Sequence, residues 1–386
     1  MRKPKKRCEL CKHWCATFAG QDTAPCKKAS ECLEDDESGM TLTDPGSLYT
    51  GRLFGCVLFE ENTAEKRAVE PFLALAYPAW YSKGMSTIIS ALVPWFGSKR
   101  TLAPRVIEEL GNHQAYWENP CGSMAVMLAK PAVTYETCND LHQDLINLAL
   151  VIRDRKSAEE LYRLAHPTLF AEDLCRLSKE RTMSYREAAA DGNIERAYWY
   201  LVFSWFHING IAGTKLSRTG NMCIRYSAKG GNGATRWRSV VESIPDWHER
   251  LLRVQIVSRD MFEIFDELDD AAGTAIYCDP PYILKKSRYL HDFPTIEEEQ
   301  RDSTKKGHLA LAKALRRFKR SRVVLSYYQH PALADLYPGW TTIDATQLNV
   351  AKSMVNAGMR DDNGRTEAPE CLLLNGPSLA DRGLFQ

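Results

Sequence analysis

The sequence has no excess of either charge: 50 Lys and Arg stand against 49 Asp and Glu, a net charge of +1. A globally basic surface is excluded, so any nucleic-acid contact has to come from local clustering. The sequence also lacks any stretch near the ~20 consecutive apolar residues that a membrane-spanning helix needs. Its start, MRKPKKRCEL, is basic but is not followed by the apolar core of an export signal, and the expectation is a soluble, cytoplasmic protein. Internal repeats and low-complexity tracts are missing. With 44% hydrophobic and 26% charged residues, the chain has a globular rather than a disordered composition. Its 386 residues suffice for about two or three domains at ~150 residues each.

Cysteine is unevenly spread. Six of the twelve fall in the first 56 residues: Cys8, Cys11, Cys15, Cys26, Cys32 and Cys56. The others (Cys121, Cys138, Cys175, Cys223, Cys278 and Cys371) are scattered, as buried thiols usually are. Without an export signal, the N-terminal cluster reads as metal-binding or free thiols before disulfides. One tetrahedral zinc set is Cys8, Cys11, Cys26 or Cys32, and Cys56, with His13 in the same cluster. An iron–sulfur centre and unligated thiols are the alternatives. Residues 1–60 therefore read as a small Cys-rich module and residues 61–84, with PFLALAYPAWYSKG, as a linker. A domain of different character follows over 85–386.

In that domain, strand-like apolar runs alternate with helical periodicity, which predicts an α/β fold with a largely parallel sheet. KRTLAPRVIEEL, CGSMAVMLAK, LHQDLINLALVIRD and HLALAKALRRF read as helices. AYWENP, VTYETCND, RVQIVSRD, TAIYCDPPY, SRVVLSYY and ECLLLNG read as strands running into polar turns. Residues from about 155 to 245 interrupt the rhythm. They begin mostly helical, with the aromatic run AYWYLVFSWF expected in a core. A glycine-rich stretch without acids follows, carrying Lys215, Arg218, Arg225, Lys229, Arg236 and Arg238. This is the local basic cluster expected to contact nucleic acid, the alternative being a solvated loop.

The residues that carry chemistry are Asp279-Pro280-Pro281-Tyr282, after the strand TAIYC. Two consecutive prolines fix the backbone and remove two amide donors. A carboxylate, a free carbonyl on Pro280 and an aromatic face remain. These suit a planar exocyclic amine, whose two N–H hydrogens find two acceptors while its ring stacks. The alternative is a proline-bent turn that closes a strand.

In order along the chain, Pro94-Trp95-Phe96-Gly97-Ser98-Lys99, Glu118-Asn119-Pro120-Cys121-Gly122-Ser123, Asn139-Asp140-Leu141-His142-Gln143-Asp144-Leu145-Ile146-Asn147, Arg259-Asp260-Met261-Phe262 and Asp279 to Tyr282 resemble five elements of one family. It is the Dam-like (D12 class, α group) DNA adenine-N6 methyltransferases, and the likeness covers about residues 90–376. Ser98, Ser123 and Met124 stand where that family often has glycine, and Pro120 where an aromatic is common. Met124 is expected to point away from the site into helix–sheet packing.

The resemblance implies a Rossmann-like, S-adenosylmethionine-dependent methyltransferase domain with an inserted target-recognition region at about 155–245. It implies double-stranded DNA as partner, and a monomer is sufficient. Trp95, Gly97 and Lys99 would help hold the cofactor, with Lys99 on its carboxylate. Glu118, Pro120 and Gly122 would form the turn at its methionine end. Asp140 would bind the ribose hydroxyls and Asp260 the adenine amine. Asp140 and Asp260 read otherwise as helix N-caps. Asp279, with Pro280, Pro281 and Tyr282, would act on the target base. Arg365 and Glu370 resemble the family's closing segment, and Tyr327 and Tyr328 are expected as pocket wall. Cytosine-N4 methylation and a non-catalytic DNA-binding protein of the same fold are the competing readings.

Overall fold

A computed structural model describes residues 89–95, 97–185, 188–207, 222–224, 232–283, 289–345 and 370–380. All of them belong to the unit Met85–Gln386. In chain order the elements are α1 (Ala103–Leu110), β1 (Ala115–Glu118), α2 (Ala125–Ala129), β2 (Tyr135–Asn139), α3 (Gln143–Arg153), α4 (Arg155–Ala165), α5 (Glu172–Ser184), α6 (Ile194–Phe206), α7 (Gly233–Glu242) and α8 (Ile244–Leu251). They continue with β3 (Val254–Val257), α9 (Met261–Glu267), β4 (Thr274–Cys278), α10 (Ile296–Arg301), α11 (His308–Arg316), β5 (Arg322–Tyr328), α12 (Ala332–Leu336), β6 (Thr341–Asp344) and β7 (Glu370–Leu374).

The strands make one seven-stranded sheet in the order β3-β2-β1-β4-β5-β7-β6. The first five are parallel, and β7 runs antiparallel to both β5 and β6. The helix and strand runs named from the sequence all appear. The short strand β6, TTID, carries no signal of its own: it is only partly buried and owes its pairing to β7.

Side-chain alternation along the strands divides the core in two. On β4, Ala275 and Tyr277 face one cluster while Ile276 and Cys278 face the other. On β7, Leu372 and Leu374 join the first, Cys371 and Leu373 the second. Period-2 alternation with apolar residues on both sides is what a sheet covered on both faces requires. α3 and α6 pack with the first cluster, while α9 and α11 pack with the second. The aromatic run in α6 is core, with Tyr200, Phe203, Trp205 and Phe206 all buried.

Two tryptophans of the helical segment between β2 and β3 fix the chain that leads into the site. Trp205 Nε1 on α6 donates to the Leu92 carbonyl at 3.0 Å, and Trp247 Nε1 on α8 donates to the Ile89 carbonyl at 2.7 Å. Leu92 N in turn donates to Ser123 O at 3.0 Å. The segment carrying Trp95, Gly97 and Lys99 is thereby laid over the turn between β1 and α2.

Candidate active site

β1 is followed in space by β2 on one side and by β4 on the other. Such a reversal of strand order opens a crevice beyond the carboxyl ends of the strands, where open α/β sheets bind ligands. A cavity of about 620 Å³ occupies that place. Pro120 and Gly122 after β1, Asp140 after β2, Asp260 after β3, and Asp279 and Pro281 after β4 all line it, together with Trp95.

The turn after β1 is tightly built. Gly122 has φ +46°, and a Cβ there would sit 3.2 Å from the Trp95 indole nitrogen, so a larger residue would meet the ring. Asp140 braces this turn. Its Oδ2 accepts from Gly122 N and its Oδ1 from His142 N, each at 2.9 Å. Each carboxylate oxygen keeps a further lone pair for a ligand hydroxyl. Asp260 caps α9, with Oδ1 accepting from Phe262 N at 2.7 Å, so its capping role and its place on the cavity coexist.

The departures from the family pattern have local answers. Ser98 Oγ and Ser123 Oγ hydrogen-bond to each other at 2.8 Å. Met124 takes a left-handed backbone, φ 56°, and its side chain is fully buried in the core, away from the site as expected. Glu118, buried at 2% exposure, accepts from Tyr116 OH at 2.8 Å. Burial pushes its carboxyl up to about 8, with the Asp279 charge adding to the shift.

Around Asp279 the structure is densely charged. Lys99 Nζ is held by Gly97 O, by Asp279 Oδ2 at 2.9 Å and by Glu370 Oε1 at 3.1 Å. Two of its three N–H donors bond Gly97 O and Asp279 Oδ2, while Glu370 lies at ion-pair distance. Pairing with a cofactor carboxylate, as expected from the sequence, would bring a third carboxylate to the same cation. Burial disfavours the Lys99 cation, yet the two carboxylates outweigh it and raise Lys99 well above the ordinary lysine value. Burial raises the Asp279 carboxyl, against the opposing pull of Lys99.

Tyr282 OH lies 3.0 Å from Asp279 Oδ1 and 2.9 Å from Glu370 Oε1. Its ring is 4% exposed, with Lys99 Nζ 5.1 Å from the centroid and Tyr328 packed edge-on at 4.5 Å. Tyr327 and Tyr328 therefore back Tyr282 and do not line the cavity as pocket wall. Tyr327 faces the core and Tyr328 reaches Tyr282 from the strand end.

The opposite wall has no clear signature along the chain. Tyr289, His291, Phe293 and Lys306, from the chain between β4 and α11, complete the lining, with the Phe293 ring 5.8 Å from the Phe262 ring and Lys306 Nζ 5.5 Å from it. The alternation Tyr289-x-His291-x-Phe293 is the one cue available. His142 enters the sequence reading only as part of a motif, yet its ring sits between Trp95 and Tyr200, with centroids 5.5 Å from each.

Of the basic stretch, Lys215, Arg218, Arg225 and Lys229 lie outside the described residues. Arg236 is exposed on α7, and together with desolvation its charge lowers Arg100, the neighbour of Lys99. Arg238, two positions on, points elsewhere: it donates to His166 O at 3.3 Å and lies 3.9 Å from Glu242. Residues two apart on a helix face nearly opposite directions. Cys8, Cys11, Cys26, Cys32 and Cys56 also lie outside the described residues, as does Arg365. Among the described residues no helix is long and apolar enough to cross a membrane.

A family model for the D12 class N6 adenine-specific DNA methyltransferases matches residues 95–348, more than half of the chain. The chain belongs to this family. It is an S-adenosylmethionine-dependent enzyme that methylates the N6 amine of adenine in DNA, which decides between the adenine and cytosine readings and against a non-catalytic binder. No curated protein is a significant match to the chain. The matched segment runs from Trp95 past β6, so it contains the whole cavity just described. The residues present fit the methyltransferase's cofactor. The cavity lies in the usual ~300–1,000 Å³ range of small-molecule sites, a glycine cradle that a Cβ would fill forms one end, and two strand-end carboxylates with free lone pairs face it.

Proposed function

We propose that the enzyme acts on double-stranded DNA with its target adenine turned out of the helix, and that Asp279 receives the target amine. The observation that carries this is Asp279, partly buried, on the wall of the same cavity as Pro281 and Asp140. S-adenosylmethionine supplies an electrophilic methyl group on a sulfonium; the rest is alignment by this chain's residues.

Asp140 accepts from the ribose hydroxyls and Asp260 from the cofactor's adenine amine. The Gly97 and Gly122 turns admit the methionine end, with Pro120 on the cavity wall and Glu118 shaping the turn from behind. Trp95 lies where cation–π attraction favours a sulfonium. Asp279 and the Pro280 carbonyl accept the two N–H hydrogens of the target amine. These bonds localise a lone pair otherwise conjugated with the ring. Stacking on Tyr282 requires its ring to be uncovered as the base enters. Extruding the base costs a few kcal/mol of unstacking and unpairing. Arg236, with Lys215, Arg218, Arg225 and Lys229, grips phosphates, whose contacts position the duplex without reading its sequence.

The first 60 residues carry enough thiolates for one zinc ion, in a module separate from the methyltransferase domain that begins near residue 85. Zinc in one-to-one stoichiometry with the purified chain supports this. The enzyme works in the cytoplasm, where a single copy suffices.

Asp279→Ala tests the central assignment. Single-turnover methyl transfer should fall about 100- to 1,000-fold, the loss seen when a preorganised polar group is removed from a reacting centre. Cofactor affinity, read by calorimetry, should change less than about tenfold. A variant with full turnover overturns the assignment.

A further inference from the structure

We propose that Glu370 is a positioning residue that takes over, through the Tyr282 hydroxyl, the proton released by the target amine to Asp279. The proposal rests on the reading of Asp279 as the amine's acceptor and extends it to a residue on the antiparallel strand β7.

The argument starts from a count of protons. Tyr282 OH lies within hydrogen-bond distance of Asp279 Oδ1 and Glu370 Oε1, at 3.0 and 2.9 Å. A hydroxyl has one proton and can donate to only one of them. The other contact is favourable when that carboxyl is itself protonated and donates to the tyrosine oxygen. The three groups therefore form a chain along which one extra proton can sit at either end. The charges agree with this. Among the described residues Lys99 is one cation between two carboxyls whose side chains are 22% and 15% exposed, so with both ionised these three groups sum to one negative charge.

The reaction supplies that proton. The amine nitrogen forms a bond to the methyl carbon as the carbon–sulfur bond breaks, and the bonding pair stays on sulfur. The nitrogen, now cationic, carries one proton too many. That proton passes to Asp279. Asp279 Oδ1–H then donates to the Tyr282 oxygen while the tyrosine's own proton moves to Glu370 Oε1. Asp279 is ionised again, Lys99 holds it, and Glu370 loses the proton to solvent. The balance is one methyl group transferred and one proton released, with no further reactant. Among the described residues, Tyr327 packs on the Tyr282 ring at 5.6 Å and the Cys278 thiol adjoins Asp279, both raised by burial; the others facing the cluster are Tyr277 from β4, Tyr289, Tyr328 from β5 and Glu118 from β1. Burial raises all four, so all are neutral near pH 7 or, for Glu118, largely so.

Two near-isosteric variants test the proposal in steady-state methyl transfer across pH, where Asp279 must give up its proton before each new turnover. Glu370→Gln keeps an acceptor for Tyr282 but cannot take a proton, and Tyr282→Phe keeps the ring but removes the bridge. Each should lower the plateau rate about 100-fold, the low end of general acid–base contributions, and the double variant should be no slower than either. Their acid limbs should differ. Loss of the Glu370 charge moves the limb of Glu370→Gln to lower pH, because that charge raises Asp279. The limb of Tyr282→Phe does not move down. A readout on the free protein is carbon-13 titration of the two carboxyls. They should titrate as a coupled pair in the wild type, and Asp279 in a single step at lower pH in Glu370→Gln. A wild-type plateau in Glu370→Gln, effects that multiply in the double variant, or independent titrations of the two carboxyls each overturn the relay. Asp279→Ala separates the two ideas: if it is inactive while Glu370→Gln is normal, the relay fails and Asp279 keeps its role.

Discussion

The two ends of the cavity hold their carboxylates in different ways. At the β2 and β3 end, Asp140 and Asp260 are fixed by backbone N–H groups within two residues of themselves or in the adjoining turn. At the β4 end, Asp279 and Glu370 are fixed by side chains, a lysine and a tyrosine hydroxyl, and the four residues come from three separate segments. Backbone donors leave a carboxylate shaped to bind, with lone pairs still available and little dependence on its surroundings. Side-chain partners carry protons and charge of their own. A carboxylate held by them can change its protonation during a reaction.

The strongest test of that contrast removes the shared cation. Lys99→Met should destabilise the protein by about 3–5 kcal/mol, the usual effect of leaving a buried charge without its partner. Methyl transfer should be lost with it. The deficit should be largest above neutral pH and shrink on acidification, since the two carboxyls can then protonate inside the fold. Denaturant titrations at several pH values give this directly. A pH-independent loss would mean that the β4 end is held by packing and not by charge.

Glu118 offers a smaller and cleaner effect. It is buried with only the weak opposing pull of Lys130, and its folded value of about 8 lies above the ordinary 4.5. An acid raised in the folded state contributes stability at low pH and loses it as pH rises through the folded value. Glu118→Gln should therefore gain on the wild type between about pH 5 and pH 8, by a few kcal/mol in total. Parallel stability curves for the two proteins would refute the buried neutral acid.

Asp140→Asn should be milder still. The amide cannot accept from both Gly122 N and His142 N, and it offers no charge to a ribose. Cofactor dissociation constants should rise about 10–100-fold, as expected for one charged hydrogen bond. The rate at saturation should move little. A fall in rate with unchanged affinity would erase the distinction between the two ends.

The same contrast explains what can be read from the sequence. Asp140 and Asp260 stand at strand-to-helix turns, where apolar periodicity changes from two to 3.6 and the turn residues announce themselves. Their positions and their capping bonds are local facts. Lys99 and Asp279 are 180 residues apart, and Tyr282 and Glu370 are 88 apart. No pattern along the chain states that these four meet, so the sequence reading names Lys99 for the cofactor without placing it beside Asp279 and Glu370. The sheet follows the same rule. The central strands β4 and β5 are buried, largely apolar runs and are legible, whereas β6 is a half-buried TTID whose strand character comes from its neighbour. The far wall, Tyr289 to Phe293, is shaped by tertiary contact alone.

The bond between Ser98 and Ser123 also constrains how this chain can change over time. Ser123 is 3% exposed, while Ser98 is only partly buried. Replacing Ser98 first by glycine strands the Ser123 hydroxyl, at about 1–3 kcal/mol for an unsatisfied buried group. Replacing Ser123 first leaves Ser98 a hydroxyl that water can reach. Of the two mutational routes from this pair to a pair of glycines, one descends through a weakened intermediate and the other does not. Lineages that leave the serine pair should therefore acquire Ser123→Gly before Ser98→Gly. Relatives of this enzyme that carry only the second of these changes should be rare.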